Sequence, residues 1–240
     1  MQFQVPRGLA TLLVALACMA VLPAEAQVSL VTDRPLLGAT DQVDWAQLGA
    51  GFEVLVPPYA TAYFDGGLAV SIETGYPFMQ RLDTSPYNLP GVYPDGEALI
   101  CVGPSDPYLP GLGMTGPMEI TLAAPVSGVG TQIQSADFAL AYAAIYAYDS
   151  TGGLLGSFVI PAQSGPVGPP EAAYLGVTSA TANISKVVFE TRPGPAPDGW
   201  STSFAIGHLD LACSTVPEPA SLALGLLGLG PLALLRRRRS

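Results

Sequence analysis

The sequence predicts an all-β fold, a single antiparallel β-sandwich, over residues 27–215. Three observations predict it. Helical periodicity is scarce in this region, short apolar runs alternate in steps of two residues, and the 27 glycines and 24 prolines of the 240-residue chain separate those runs. Antiparallel sheets joined by turns produce this pattern. We expect one sandwich domain, flanked by an N-terminal signal helix and a C-terminal transmembrane helix.

The clearest strand is predicted at residues 137–149. Bulky side chains occupy one parity of this stretch and mostly alanines the other, which is the two-residue period of a strand. The bulky side chains are those of Phe138, Leu140, Tyr142, Tyr146 and Tyr148. We expect this aromatic face to point into the core, and a tight turn at residues 150–153 to join the strand to a hairpin partner at 154–160.

Further strands are predicted where apolar runs are bounded by polar or Pro/Gly-rich segments. These runs are residues 52–56, 61–74, 97–103, 118–126, 172–179, 184–191 and 203–212, the second of them broken at Gly66 and Gly67. Residues 41–49 predict a helical turn. The proline- and glycine-rich residues 104–117 and 192–200 are predicted to be surface loops, where an exposed aromatic side chain would be informative.

Residues 1–26 have the organisation of a signal peptide. Arg7 provides the positive charge, residues 9–22 the short apolar core, and residues 24–26 the small-x-small pattern that signal peptidase recognises. The alternative is a membrane-anchoring helix, but the apolar stretch is shorter than the roughly 20 residues that cross a bilayer. We expect the mature chain to begin near Gln27.

The region between residues 27 and 215 is strongly acidic. It contains four basic residues, Arg34, Arg81, Lys186 and Arg192, against 17 acidic residues, for a net charge of −13. Such a surface repels phosphate backbones and lacks the basic clusters that neutralise them. Nucleic acid is therefore not an expected partner, whereas divalent cations and simple solubility both agree with the charge.

Two of the three cysteines, Cys101 and Cys213, remain once Cys18 is removed with the leader. In an oxidising compartment outside the cytoplasm, an even count predicts one structural disulfide between them. A catalytic thiol or a metal pair would need nearby histidines or more cysteines, and His208 is the one histidine of the chain.

Residues 216–240 have three parts that differ from the end of a folded domain. Pro217, Glu218 and Pro219 form an extended segment that a protease could grip, because proline stops a helix from propagating backward. Residues 220–235 form an apolar helix of about 24 Å, slightly shorter than the hydrocarbon layer. The four arginines at 236–239 resist translocation and stay cytoplasmic, which places the acidic domain on the outer side of the inner membrane.

This order and placement resemble a PEP-CTERM protein-sorting signal. The resemblance implies that an exosortase, a membrane-embedded processing enzyme of Gram-negative bacteria, recognises the signal and removes the helix and arginines. It further implies that the chain is held transiently at the inner membrane and then released or attached at the cell surface or within an exopolysaccharide matrix. A permanent tail anchor is the alternative, but it gives no reason for the Pro-Glu-Pro segment.

The body resembles the β-rich ectodomains that often precede such signals, through residues 43–49, 125–133, 147–156, 174–179 and 204–212. The resemblance implies a jelly-roll sandwich similar to galactose-binding or lectin-like modules. Similar final strands carry an acidic pair where this chain has Gly207 and His208, so a ligand role of that pair does not transfer.

No residue pattern in the body predicts catalysis, and we expect a structural or adhesive protein that is not an enzyme. Carbohydrate binding is the alternative, with Trp45 and Trp200 as candidates to stack on sugar rings, although Trp45 fits a core position equally well. Glycan hydrolysis comes third, because carboxylates are too abundant for a pair to be informative and no Gly-x-Ser-x-Gly elbow accompanies His208. No cofactor is expected.

Structural calcium is considered because sandwiches similar to this one often hold an ion on loop carboxylates. The candidate ligands are Asp41, Asp44, Glu53 and Asp210. None has a calcium-loop spacing, and solvated surface acids and turn caps remain the alternative.

Overall fold

The computed structural model describes residues 28–56, 61–75, 79–84, 93–103, 116–135, 141–162, 171–196 and 201–213. Within them the chain forms two antiparallel sheets stacked as a sandwich, which confirms the all-β fold. The signal peptide, the sorting signal and Trp200 lie outside the described residues. No helix in the described ranges is long and apolar enough to cross a membrane.

The described elements are mostly short strands. In chain order they are β1 (Val28–Val31), α1 (Arg34–Leu37), β2 (Asp41–Val43), a 3₁₀ helix (Trp45–Leu48), β3 (Val54–Leu55), β4 (Thr61–Tyr63), β5 (Ala69–Thr74), β6 (Met79–Asp83), β7 (Ala98–Val102), β8 (Met118–Val126), β9 (Gly128–Ser135), β10 (Tyr142–Tyr148), β11 (Leu154–Pro161), β12 (Ala173–Ser179), β13 (Ile184–Arg192) and β14 (Phe204–Ala212).

The strands divide between an eight-stranded and a six-stranded sheet. The eight-stranded sheet has the order β1-β12-β9-β14-β7-β6-β3, with β2 also paired to β14, and the six-stranded sheet has the order β11-β10-β13-β8-β5-β4. One large apolar cluster lies between the sheets and takes side chains from both. Alternate side chains of each strand therefore point either into this core or away from it.

The predicted hairpin is present as β10 and β11, but the prediction that the tyrosines of its first strand point into the core is wrong. Phe138 and Leu140 of the predicted aromatic face lie outside the described residues. Ala143, Ile145 and Ala147 belong to the core cluster, while Tyr142, Tyr146 and Tyr148 are half-buried on the outside of the six-stranded sheet. Small inward side chains let β10 pack against the opposite sheet. The turn is closed by Gly152, whose φ of 84° is in the left-handed region.

The other predicted strands are present, and the break at Gly66 and Gly67 separates β4 from β5. The predicted helical turn is the 3₁₀ helix, which Asp44 caps by accepting a 2.9 Å hydrogen bond from the amide of Ala46. Sequence patterning missed β1, β2, β6, β9 and α1. Strand β9 (GVGTQIQS) lacks an apolar alternation because it is covered on both faces, seven of its eight residues being buried.

The predicted disulfide between Cys101 and Cys213 is wrong. Cys101 pairs directly with Ala205 of β14, and Cys213 follows the far end of the same strand. At about 3.4 Å per residue the two cysteines are therefore roughly 25 Å apart, well beyond the ~7 Å that a disulfide permits between Cα atoms. Both thiols are free.

The two thiols should differ in reactivity. Burial raises the pKa of the Cys101 thiol to about 12. Burial also raises the pKa of the Cys213 thiol, but this side chain is only half-buried and is accessible to a reagent. Because the thiolate is the nucleophile, iodoacetamide at pH 8 should alkylate Cys213 in the folded protein and Cys101 only after denaturation, as measured by peptide mapping. A disulfide-linked pair of peptides under non-reducing conditions would contradict the structure.

The orientation of β10 should determine how much each substitution in this strand lowers the free energy of unfolding. Ile145→Ala removes a fully buried core side chain and should lower the free energy of unfolding by about 2–5 kcal/mol, measured by urea denaturation. Tyr142→Ala, on the outer face, should cost clearly less. The reverse order would mean that the aromatic face is the core face.

Candidate functional site

The outer side of the six-stranded sheet carries a row of tyrosines. Tyr142, Tyr146 and Tyr148 share this side because Ala143, Ile145 and Ala147, on the other parity of the strand, point into the core. We call Tyr142, Tyr146, Tyr148, Lys186, Glu190 and Arg192 the tyrosine face. The last three belong to β13, whose Lys186 and Arg192 pair in register with Tyr148 and Tyr142.

Tyr146 is held in place by a charged network. Its hydroxyl donates to Oε1 of Glu190 at 2.8 Å, and the guanidinium of Arg192 donates both to that hydroxyl and to the same carboxylate. Arg192 is 1% exposed, lies 5.9 Å from the centre of the Tyr146 ring, and donates to the carbonyl of Ala196 at 3.0 Å. Burial and the neighbouring Glu190 raise the pKa of Tyr146, so its hydroxyl remains a proton donor.

Tyr148 is braced by the second cation of the face. The ammonium of Lys186 lies 4.8 Å from the ring centre of Tyr148 and 3.0 Å from Oε2 of Glu119. On the opposite flank, β11 places the exposed Ser157 in register with Tyr146. The tyrosine face thus combines aromatic surface with oriented hydrogen-bonding groups, which is the chemistry that binds a ligand with both apolar and hydroxyl-bearing surfaces.

Gly207 and His208 form a β-bulge in β14. The register shifts between Ile206 and Leu209, so the bulge faces a shorter stretch of β9. The carbonyl of Gly207 accepts hydrogen bonds from Nε1 of Trp45 at 2.6 Å and from Oγ1 of Thr131 at 3.1 Å. A side chain at Gly207 would place Cβ 2.5 Å from Oε1 of Glu97, so a larger residue there would have to displace this carboxylate.

His208 lies between two carboxylates, those of Glu97 and Asp44. Its amide donates to Oε1 of the buried Glu97 at 2.8 Å, while its ring nitrogens lie 3.7 Å from Glu97 and 3.4 Å from Asp44. Glu97 therefore satisfies the amide that the bulge removes from the strand ladder. This carboxylate was not singled out by sequence, because a bulge leaves no pattern in the residue types.

The calcium candidates do not form one site. Asp41 and Asp210 line a cavity of about 360 Å³ together with Ala39, Thr40, Gln42, Asp65 and Gly66. Asp44 and Glu53 are exposed elsewhere. In the described ranges, no group of three or more His, Cys, Asp or Glu side chains is arranged to hold a metal ion.

Asp41 and Asp210 also accept hydrogen bonds from other groups of the protein. Asp41 accepts from the amides of Gln42 and Gly66. Asp210 is 4% exposed, and its Oδ2 accepts from Nε of Arg34 at 2.7 Å and from the hydroxyl of Tyr174 at 3.1 Å. Both carboxylates therefore have structural partners.

Trp45 does not have the exposed position that stacking on a sugar would require. Its side chain is fully buried in the core, and its indole nitrogen is used by the Gly207 carbonyl. The structure therefore supports the alternative that Trp45 is a core residue. The tyrosines of β10 are half-buried on the outer side of the six-stranded sheet, whereas sequence parity predicts them inside.

Known proteins resemble the chain only distantly. No protein-family model and no curated protein matches it. Among solved structures, a DUF4465 family protein from Bacteroides caccae is similar over 76% of this chain and 98% of its own, with 14% identity and a TM-score of 0.37. TmCBM61 in complex with β-1,4-galactotriose is similar over 60% of this chain and 83% of its own, with 10% identity and a TM-score of 0.32.

The two donors to the Gly207 carbonyl should act together. Trp45→Phe and Thr131→Val each leave one donor in place, so each loses about 1 kcal/mol from that hydrogen bond, plus packing losses at Trp45. The double variant leaves a buried carbonyl unpaired, and its loss in urea denaturation should exceed the sum of the single losses by at least about 0.5 kcal/mol. Strict additivity would show that the bulge does not depend on this pair.

Proposed function

We propose that this chain is an exported protein that is sorted to the cell surface or the exopolysaccharide matrix, where its sandwich has a structural or adhesive role. The observation that carries the proposal is the C-terminal order of Pro217-Glu218-Pro219, an apolar stretch and four arginines, in a chain with an N-terminal leader pattern. An exosortase-type enzyme and signal peptidase are the processing partners in this proposal.

The physical properties of the ends and the body support this fate. Arginines after the apolar stretch oppose translocation, so the body would face away from the cytoplasm during processing. The body is acidic, with a net charge of −13 over residues 27–215, and a high net charge favours solubility after release.

Carbohydrate binding is the second candidate function. The observation that favours it is the tyrosine face, where three half-buried rings lie outside the sheet beside oriented charged groups. Binding at such a face needs no reaction, and we propose a binding role without catalysis.

The mass of the mature protein tests the sorting proposal. Material recovered from host cells should lack both the leader and the residues after the Pro-Glu-Pro segment in intact-mass spectrometry. Glu218→Ala should retain the C-terminal residues and accumulate at the membrane, because the processing enzyme loses its recognition residue. Glu53→Ala, an exposed acid in the body, is the matched control and should be processed normally.

Retention of residues 222–240 in mature wild-type material would reject the sorting proposal. Residues 220–239 would then be interpreted as a permanent tail anchor. Equal processing of the Glu218→Ala and wild-type chains would instead show that cleavage does not use the Pro-Glu-Pro segment.

A further inference from the structure

We propose that the tyrosine face is the docking surface for an extended, uncharged polysaccharide that lies along β10. The inference deepens the proposed carbohydrate-binding role and rests on it, since it names the ligand class and the residues that bind it. Four observations carry it: the closed surface that the rings help to form on the outer side of the sheet, the length of the row, the preset polar groups and the charge of the protein.

The rings form part of a continuous surface over the sheet. Ala144 lies between Tyr142 and Tyr146 on the same side, yet it is 0% exposed although it points away from the core. The larger side chains around it therefore close over the sheet instead of standing away from it. A closed surface that contains aromatic side chains suits contact with the C–H faces of sugar rings.

The row is long enough for more than one sugar. Tyr142 and Tyr148 are the ends of β10, and at about 3.4 Å per residue they are roughly 20 Å apart. The three tyrosines follow one strand, so a ligand that contacts all of them must be extended along it. A single monosaccharide would reach only one ring.

The polar groups of the face are fixed before any ligand arrives. Glu190 and Arg192 hold the hydroxyl of Tyr146, and Glu119 holds Lys186 over Tyr148. Groups that are already ordered lose little entropy on binding, and sugar hydroxyls can both donate to Glu190 and accept from Lys186. The flank toward β11 is open at the exposed Ser157.

The charge of the protein favours an uncharged ligand at the tyrosine face. The cations of the face are already paired with Glu119 and Glu190, and the surrounding protein has a net charge of −13 over residues 27–215. A polyanionic glycan, an anionic membrane and a second copy of this acidic chain are all repelled. A neutral polyhydroxylated chain meets no such penalty.

The test is a glycan array followed by calorimetric titration of the intact protein. The array carries neutral oligosaccharides of glucose, galactose, mannose and xylose from disaccharide to hexasaccharide, with alginate oligosaccharides as the anionic comparison. We expect binding to at least one neutral series, with affinity that rises with chain length and then levels off once the row is covered. Alginate should bind at least tenfold more weakly.

Variants then locate the site. Tyr142→Ala and Tyr148→Ala should each lower the affinity about tenfold, whereas Tyr148→Phe should retain most of it because the ring remains. Ser157→Glu, at an exposed position that tolerates substitution, should also weaken binding by adding bulk and charge beside Tyr146. Tyr63→Ala is the matched control: Tyr63 is 53% exposed on the same sheet but four strands, or about 19 Å, from β10.

The possible results distinguish failure of the proposed binding site from failure of the proposed carbohydrate-binding role. Neutral glycan binding that is equal in wild type, Tyr142→Ala, Tyr148→Ala and Ser157→Glu would overturn the site and leave carbohydrate binding intact. Binding of alginate in preference to every neutral series would overturn the ligand class. Absence of binding to the whole array would overturn both this inference and the carbohydrate-binding role, without affecting the sorting proposal.

Discussion

Packing of β10 against the eight-stranded sheet is the interaction on which the rest of the structure depends. Two alanines and Ile145 face the core, and their small volume lets the sheets approach while Phe189 and Phe204 supply bulk from other strands. Once this side is buried, the two-residue period places all three tyrosines of β10 outside. The position of the candidate site is thus a direct consequence of how the core is filled.

A second constraint acts within the eight-stranded sheet. Strand β14 pairs with β7 through residues before the bulge and with β2 through residues after it, while β9 runs along its other edge. The bulge interrupts the ladder, and side chains of Trp45, Thr131 and Glu97 satisfy the freed backbone groups. The only histidine therefore lies where the strand changes neighbours, and its surroundings have a structural explanation.

Sequence reasoning recovered the strand class and most strand positions, because alternation and turn residues are local signals. It did not recover which face of β10 is buried, since both a tyrosine row and an alanine row can line a core and the choice depends on the opposite sheet. It also paired Cys101 with Cys213 from their number alone, although the distance along β14 is a property of topology. Buried charges such as Glu97 and Arg192 compensate for tertiary features that no local pattern records.

Hydroxyl-radical footprinting with peptide mass spectrometry tests the orientation of β10, the central claim, most directly. In the free protein, Tyr142 and Tyr148 should be oxidised while the fully buried Trp45 is spared, and a neutral oligosaccharide that binds should protect the two tyrosines. Oxidation of Trp45 together with protection of both tyrosines in the free protein would contradict the account, because it would place the aromatic side of β10 in the core.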